Sequence, residues 1–235
     1  MSKIYSLVDK FLMSDFSEII IQNLNKKTYE NLIIFDIGCY RGNFSRNLKN
    51  KLNINNNNFY LFDANKNLDI PDFNYYNLAI SNKKEIKNFY LNDFFPSSGS
   101  SLNTLVKDDK LWNFTRKLLT FNFKKKFSLH KVQSDTLDNI CNSKDIKEID
   151  ILKIDVEGAE LDILLGAERI LHNVSIIQLE ILDSKDNFDK KYSNICDLLK
   201  KKYDFKILLK KEILSLGFFS SLKAYDVIFT KIRIS

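Results

Sequence analysis

The sequence predicts an α/β fold in which helices cover both faces of one sheet. The composition is that of an ordinary globular protein, with 44% hydrophobic, 13% aromatic and 28% charged residues, which excludes disordered and low-complexity classes. Only 6 Gly and 2 Pro disfavour a turn-rich all-β sandwich. Short continuous apolar runs alternate with helical spacing, a pattern typical of strands buried on both faces. We therefore expect the 235 residues to form one domain around one core.

The apolar runs predict seven strands of that sheet. They lie at residues 32–36, 59–63, 75–80, 149–155, 174–181, 203–209 and 225–231. Between the strands, the spacing predicts helices after Gly42 and over residues 136–141, 159–171 and 188–202. An additional pair of short strands is predicted at residues 87–91 and 128–133.

Two segments depart from this alternation. Residues 1–30 place apolar side chains at helical spacing and predict an N-terminal helical cap on a main domain of residues 31–235. Residues 93–126 begin with Pro, Ser and Gly and continue as a basic, aromatic segment around Trp112. An insertion of this length inside a compact domain is typical of a lid or a binding loop.

Charge, cysteine content and hydropathy limit the partners, the cysteine chemistry and the cellular location that the sequence predicts. Lys and Arg number 36 against 30 Asp and Glu, a net charge of +6, and the Lys runs are typical of solvated faces, with an anionic partner as the alternative. Cys39, Cys141 and Cys196 are too widely spaced for a disulfide framework or a CxxC metal site. No apolar run is long enough to span a bilayer, so we expect no transmembrane segment and a cytoplasmic location.

The turn after the first strand has the composition of a ligand-binding loop. It reads Asp36-Ile37-Gly38-Cys39-Tyr40-Arg41-Gly42, and glycine lets backbone approach a ligand because no Cβ intervenes. Dinucleotide sites favour G-x-G-x-x-G beside a pyrophosphate, whereas this loop reads G-x-x-x-G. The spacing favours a nucleoside ligand without pyrophosphate, and a purely structural turn is the alternative.

Asp63 ends the second strand, about 20 residues beyond the loop, where an acidic residue accepts hydrogen bonds from ribose hydroxyls in doubly wound sheets. Capping of the strand or the next turn is the alternative for Asp63.

Carboxylates cluster at the end of two later strands. Asp155, Glu157 and Glu160 follow one buried strand, and Glu180 interrupts the next. Carboxylates that meet at strand ends hold a hard cation, or one serves as a base while the other orients substrate. For Glu157 and Glu160 the alternative is that they favour a helix N-terminus. His130 is a further candidate, because the edge of the insertion can bring it to the site.

At this point the chain resembles the FkbM-type methyltransferases, a branch of the class I S-adenosylmethionine-dependent enzymes. The resemblance covers residues 32–181 in the family's order. It rests on Asp36-Ile37-Gly38 with Gly42, on Asp63, on Asn77-Leu78-Ala79-Ile80-Ser81, on Ser134-Asp135-Thr136-Leu137-Asp138, and above all on Leu152-Lys153-Ile154-Asp155-Val156-Glu157-Gly158-Ala159-Glu160 followed by Leu164-Leu165-Gly166-Ala167. This chain departs from the family at Asp63-Ala64-Asn65, where Glu-Pro is frequent, and at Cys39-Tyr40, where Ala-Asn is frequent.

The resemblance implies a Rossmann-like, doubly wound sheet of seven strands, mostly parallel with one antiparallel, and S-adenosyl-L-methionine as cofactor. Gly38 and Gly42 border its methionine and ribose, Asp63 holds the ribose hydroxyls, and Ala79 with Ile80 lies near the adenine. The full cofactor set that it implies is Asp36, Gly38, Cys39, Tyr40, Gly42, Asp63, Ala64, Ala79, Ile80 and Asp155.

The same resemblance implies transfer of a methyl group to a hydroxyl of a small molecule. The expected acceptor is a sugar, and specifically a sugar nucleotide or glycan precursor, which makes the protein a carbohydrate-modifying O-methyltransferase. Asp155 is the first candidate base, followed by Glu180 or His130. If a divalent metal takes part, Asp155 and Glu180 are its expected ligands.

Three alternatives stay open from the sequence. A nucleic-acid methyltransferase needs a basic stripe that follows phosphates, and the charge here is scattered, so no nucleic-acid partner is expected. A non-catalytic binding scaffold is disfavoured by the intact glycine loop with Asp63 and Asp155. A nicotinamide oxidoreductase is disfavoured by the glycine spacing. The sequence leaves the oligomeric state open.

Overall fold

The computed structural model describes residues 16–24, 29–92, 100–110, 127–213 and 221–232. It contains ten strands: β1 Ile34–Ile37, β2 Phe59–Asp63, β3 Asn74–Asn77, β4 Ala79–Ile80, β5 Glu85–Asn92, β6 Phe127–Asp135, β7 Ile149–Ile154, β8 Val174–Ser184, β9 Phe205–Glu212 and β10 Leu222–Lys231. Seven of them form one sheet in the order β3-β2-β1-β7-β8-β10-β9. Neighbours from β3 to β8 run parallel, and β10 runs antiparallel to both β8 and β9. The predicted mostly parallel, seven-stranded α/β sheet is confirmed.

Helices connect these strands. They are α1 Ser17–Gln22, α2 Asn43–Leu52, α3 Leu105–Asp108, α4 Leu137–Ser143, α5 Glu160–Leu165 and α6 Lys185–Asp197, with 3-10 turns at Asn56–Asn58 and Ile170–Asn173 and a π-helical turn at Leu198–Lys202. The predicted continuous helix over residues 159–171 is wrong, because α5 ends where Gly166 follows and a separate 3-10 turn begins at Ile170.

A smaller sheet of three strands stands beside the large one, in the order β4-β6-β5. Its antiparallel pair, β5 with β6, confirms the additional strands predicted at residues 87–91 and 128–133. The predicted strand 75–80 is divided between the two sheets at Leu78, whose backbone N–H donates to the Asp63 carbonyl at 3.1 Å. The division places β4 directly beside the end of β2.

Apolar side chains fill the space on both faces of the large sheet. Along β7, Leu152 and Ile154 belong to the core that includes residues of α4, α5 and α6, whereas Ile151 belongs to the core that includes Ile20 of α1 and Leu48 of α2. Side chains alternate between faces along a strand, so Lys153 lies on the same face as Ile151. The layers are those of a doubly wound sheet.

The two unusual segments are described in part. Phe16 and Ile20 are buried against the α2 face, so the described portion of the predicted cap packs on the main core. Residues 1–15 and 25–28 of that cap lie outside the described residues. In the insertion, Ser101 bridges to Tyr90 of β5 and α3 follows. The predicted basic, aromatic segment around Trp112 falls outside what the structure describes.

Within the described ranges, no helix has the length and apolar character needed to cross a membrane. Cys39, Cys141 and Cys196 are buried free thiols.

Candidate functional site

The glycine loop between β1 and α2 lies tightly against the end of β7. Gly38 has a φ of +75°, and a Cβ built on it would stand 1.8 Å from the Asp155 carbonyl oxygen. The backbone N–H groups of Gly38 and Cys39 donate to the Phe62 carbonyl at 2.9 and 3.2 Å. Only glycine fits both the left-handed conformation and this close approach. The loop therefore joins the ends of β2, β1 and β7.

Asp63 fastens the other side of this loop. Its Oδ2 accepts a hydrogen bond from the Tyr40 backbone N–H at 2.8 Å, and its Oδ1 accepts one from the Asn65 N–H at 2.8 Å. Burial raises the pKa of Asp63 to about 6, against the lowering effect of these two hydrogen bonds. A carboxylate has about four acceptor positions, so both oxygens can still accept hydrogen bonds from hydroxyl groups.

Apolar residues of β4 lie next to Asp63. The Asp63 carbonyl accepts hydrogen bonds from the side-chain amide of Asn77 at 3.0 Å and from the N–H of the next residue. These bonds bring β4 alongside, where Ala79 is buried in a small cluster against which Ala64 packs. Ile80 is buried in the main core. The residues predicted to surround an adenine are thus adjacent to the residue predicted to hold a ribose.

A buried lysine connects β1 with the end of β7. The Lys153 ammonium lies 3.0 Å from Asp155 Oδ2 and 3.5 Å from Asp36 Oδ1. Burial alone would lower the pKa of Lys153, but the charges of Asp155 and Asp36 outweigh it and hold that pKa above its ordinary value. Lys153 is therefore a fixed cation beside the Asp155 carboxylate.

Asp36 is completely buried and has its own partners. Besides Lys153, it accepts a hydrogen bond from the Ser45 hydroxyl of α2 at 2.7 Å. Burial raises the pKa of Asp36 above its ordinary range. Because Asp36 is fully buried between Lys153 and Ser45, we expect it to position Lys153 and α2 and to act on a cofactor only through them.

The predicted metal site does not fit this arrangement. Across the described part of the chain, no group of three or more His, Cys, Asp or Glu side chains is placed to hold a metal ion. The Asp155 carboxylate already meets a cation, because the Lys153 ammonium lies between it and Asp36. The assignment of a divalent metal to Asp155 and Glu180 is therefore not supported, and we derive no step through one.

The loop after β7, residues 155–159, is held from two sides, and we call it the acidic loop. Glu157 and Gly158 both have positive φ angles, of 54° and 108°. From the insertion, the Ser101 hydroxyl contacts the Val156 and Glu157 carbonyls at 3.1 and 2.9 Å, and the Asn103 side-chain amide donates to the Glu157 carbonyl at 3.1 Å. The first part of the insertion thus sets the conformation of the acidic loop.

Glu160 supports this loop from below. It is fully buried, its Oε1 accepts a hydrogen bond from the Gly158 N–H at 2.6 Å, and its Oε2 lies 2.7 Å from the Lys191 ammonium. Lys191 also donates to the Gly158 and Leu182 carbonyls, at 2.7 Å each. Burial raises the pKa of Glu160, which the Lys191 charge opposes. These contacts make Glu160 a structural residue that joins the loop to α6.

Glu180 lies one strand beyond Asp155. The register pairs Ile154 with Leu179, so Asp155, the first residue after β7, lies beside Glu180 of β8. Because β8 continues to Ser184, Glu180 lies within the strand, and the prediction that it lies near the strand end is wrong. On the side of β8 away from β7, Glu180 is directly opposite Asp226 of β10. Burial, and then the charges of Asp155, Glu157 and Asp226, raise the pKa of Glu180 well above its usual range.

Asp226 is a candidate that sequence reasoning missed. It is buried, and burial together with the Asp155 charge raises its pKa to about 7. The only sequence signal is a carboxylate inside the otherwise apolar run of β10, the same signal that singled out Glu180. Gln178, on β8 opposite Lys153, is a second residue that the sequence did not single out.

His130 belongs to the smaller sheet. It lies opposite Phe89 of β5, and its Nε2 is 3.0 Å from the Ser128 hydroxyl of its own strand. It therefore belongs to the smaller sheet, whereas Asp155 follows β7 of the large one.

A recess of about 400 Å³ lies between α5 and α6, with Asp162, Asp183 and Lys190 in its lining. Gly158 and Lys191 also line it, so the recess borders the loop after β7, under helices that cover the face of the sheet opposite to Lys153.

Comparison with known proteins gives a family match over most of the chain. The FkbM methyltransferase domain matches residues 36–207. The AMB antimetabolite synthetase AmbE of Pseudomonas aeruginosa is 30% identical over 89 residues, and the match spans 37% of this chain but only 4% of that protein.

Two solved structures are also similar. TrmK of M. capricolum in complex with S-adenosyl-homocysteine has a TM-score of 0.44 at 13% identity, covering 95% of this chain and 71% of that one. Precorrin-6y C5,15-methyltransferase from Geobacter metallireducens has a TM-score of 0.39 at 13% identity, covering 94% and 91%. At these scores the two structures add no argument about function. The family match covers most of the chain, including the glycine loop, Asp63 and the acidic loop, and the chain therefore belongs to the FkbM methyltransferase family.

Proposed function

We propose that this chain is an S-adenosylmethionine-dependent O-methyltransferase that acts on a hydroxyl of a sugar, in a sugar nucleotide or glycan precursor. The observation that carries the proposal is the connection of three strand ends through one loop. Gly38 lies against Asp155, and Tyr40 of the same loop is hydrogen-bonded to Asp63. In open α/β sheets, ligands bind outside these carboxyl ends of the strands.

The residues present fit a nucleoside cofactor. Asp63 retains acceptor positions for ribose hydroxyls, and Ala64 with Ala79 offers an apolar surface beside it. Gly38, Cys39, Tyr40 and Gly42 supply the loop backbone. When bound, S-adenosylmethionine supplies a methyl group on a positively charged sulfur, and the protein's tasks are then alignment and exclusion of water.

Asp155 is our first candidate for the proton transfer. As the acceptor oxygen bonds to the methyl carbon, the carbon–sulfur bond breaks, and the hydroxyl proton passes to the carboxylate. The Asp155 Oδ2 is held by Lys153, which orients the carboxylate. A base in hydrogen-bond reach contributes about 10² to 10⁴ in rate. Glu180 is the second candidate, and His130 the third.

The acceptor and the setting come from family similarity and composition. A sugar hydroxyl is weakly acidic and benefits from such a base, and we place the reaction in the cytoplasm with no nucleic-acid partner. Transfer to nitrogen or carbon of another small molecule is the alternative within the same family.

Labelled cofactor tests the proposal. The protein is incubated with methyl-labelled S-adenosylmethionine and a panel of sugars and nucleotide sugars, with and without a chelator, and S-adenosyl-homocysteine binding is measured by calorimetry. We expect binding, and label in an ether bond at a sugar oxygen. Binding without transfer to any oxygen would contradict O-methylation, and absence of binding at high micromolar ligand would favour the non-catalytic scaffold.

A further inference from the structure

A polar band crosses the α2 face of the sheet between two apolar clusters. We define it by Gln178 and Glu180 of β8 and Asp226 of β10. Below it on the same face, Ile176 and Ile228 are buried in the core, and above it Leu182 with Ala224 forms a separate buried cluster. Gln178 is 7% exposed and Asp226 9% exposed. Burial of polar groups in such a position lowers the stability of the fold unless the groups are hydrogen-bonded or, where charged, paired.

The amide of Gln178 points to a ligand. Its Oε1 is buried and has no hydrogen-bond partner among the residues that the structure describes. Side chains two residues apart share one face of a strand, so Gln178 and Glu180 lie side by side on the face of Lys153. A buried acceptor left without a partner costs about 1–3 kcal/mol, which a bound hydroxyl or ammonium donor would remove.

The carboxylates point to the charge of that ligand. Glu180 and Asp226 are directly opposite each other across the β8–β10 ladder, and like charges in this position destabilise a sheet. The charged groups that face them are Lys153 of β7, Asp155 and Glu157 from the loop that follows it, and Lys211, which is opposite Asp226 on β9. With Glu180 and Asp226 themselves, four carboxylates thus meet two cations among the described residues, and Lys153 is already shared between Asp36 and Asp155.

We propose that the polar band is the acceptor subsite and that the acceptor carries a protonated amine, held between Glu180 and Asp226, beside the hydroxyl that is methylated. This inference rests on the proposed function and names its acceptor class as an amino sugar or a related amino alcohol. The band lies one strand beyond Asp155, on the side away from Asp63. The amine is therefore separate from the predicted cofactor site around Gly38 and Asp63, and its neighbouring hydroxyl lies toward Asp155. A phosphate at this position would meet the excess of carboxylates.

The proposal has a pH signature. The pKa of Asp226 is raised to about 7 and that of Glu180 is raised as well, so the pair holds a proton at neutral pH in the absence of acceptor. A bound ammonium takes the place of that proton. For an acceptor whose amine stays protonated up to pH 8, the KM therefore falls as pH rises from 6 to 8, whereas the KM for a neutral acceptor does not.

Matched acceptors test the inference. With labelled S-adenosylmethionine, glucosamine and galactosamine are compared with glucose and galactose, with their neutral N-acetyl forms and with sugar phosphates, and a set of amino alcohols is compared with the corresponding diols. We expect a preference for the amine of about 10- to 150-fold in kcat/KM, the equivalent of one charged hydrogen-bonded contact. The best acceptor lacking an amine, or no amine-bearing compound being methylated by protein that binds S-adenosyl-homocysteine, would overturn it.

Two variants localise the effect. Asp226→Asn should remove the amine preference and its pH dependence through KM, with S-adenosyl-homocysteine affinity unchanged. Glu180→Gln should also remove the amine preference, and a fall in its kcat for neutral acceptors would report its separate role as the second candidate base. Asp189→Asn removes a carboxylate from an exposed ion pair with Lys223 and should change neither. Amine preference that survives in both folded band variants contradicts the subsite. Failure of the wild-type protein to bind S-adenosyl-homocysteine would instead contradict the proposed function.

Discussion

Replacement of Lys153 by methionine gives the sharpest test of how the site is held together. The Lys153 side chain is 7% exposed, and its two partners differ, because Asp36 is 0% exposed and Asp155 is 30% exposed. Removal of one partner of a buried ion pair costs about 3–5 kcal/mol, since the other charge stays buried without compensation. Asp155 is partly solvated, so we attribute most of the loss of unfolding free energy to Asp36.

The sign of the pH dependence follows from Asp36. Its pKa is already raised by burial, and loss of the Lys153 charge raises it further, so the native state of the variant binds more protons than the unfolded state. Stability of Lys153→Met therefore falls as pH rises above the unfolded pKa of about 3.9 and levels off above the folded pKa. We expect a smaller loss at pH 5 than at pH 8.

Urea unfolding followed by circular dichroism at both pH values measures this effect. Lys201→Met is the control, because Lys201 and Asp197 form an exposed pair at 3.1 Å, and such a pair contributes less than about 0.5 kcal/mol. The double variant Asp36→Asn/Lys153→Met should recover most of the loss, because no uncompensated charge remains. Equal stability of Lys153→Met and wild type at pH 8, or no recovery in the double variant, would refute the reasoning.

Three further predictions concern the cofactor, the reaction and the acidic loop. Affinity for S-adenosyl-homocysteine, measured by calorimetry, should fall as pH is lowered through about 6, the pKa of Asp63, because ribose hydroxyls donate to the ionised carboxylate. Asp63→Asn should weaken binding by about 1.5–3 kcal/mol, and a flat wild-type pH profile would contradict this role. Asp155→Asn should lower kcat by about 10² or more with little change in cofactor affinity, so equal loss of both, or no loss, argues against a base. Lys191→Met should destabilise the fold by about 3–5 kcal/mol, because Glu160 is 0% exposed, whereas Lys190→Met on the exposed side of α6 should not.

Much of the architecture was predictable because buried parallel strands have continuous apolar runs, and each of the seven predicted runs contributes a strand to the large sheet. The order of Gly38, Asp63 and Asp155 at strand ends was predictable for the same reason. Strand register was not predictable, so nothing in the sequence places Asp226 opposite Glu180. The division of residues 75–80 accompanies hydrogen bonds to the Asp63 carbonyl and the pairing of β4 with β6, long-range contacts that a local pattern does not encode.

The metal assignment shows a second limit of sequence reasoning. Carboxylates at two strand ends suggest a cation, and the sequence indeed supplies one, but it is the ammonium of Lys153 inside the same motif. Lys153 reads as an ordinary strand residue because its partner Asp36 is distant along the chain. Only the pairing of β1 with β7 brings the two side chains together.

A crystal structure of the complex with S-adenosyl-homocysteine tests the central claim most directly. The account predicts the ribose hydroxyls within hydrogen-bond distance of the Asp63 carboxylate, the methionine part along the backbone of Gly38, and the sulfur facing Asp155. The ligand bound in the recess between α5 and α6, or the space above Gly38 filled by the protein's own side chains, would contradict it.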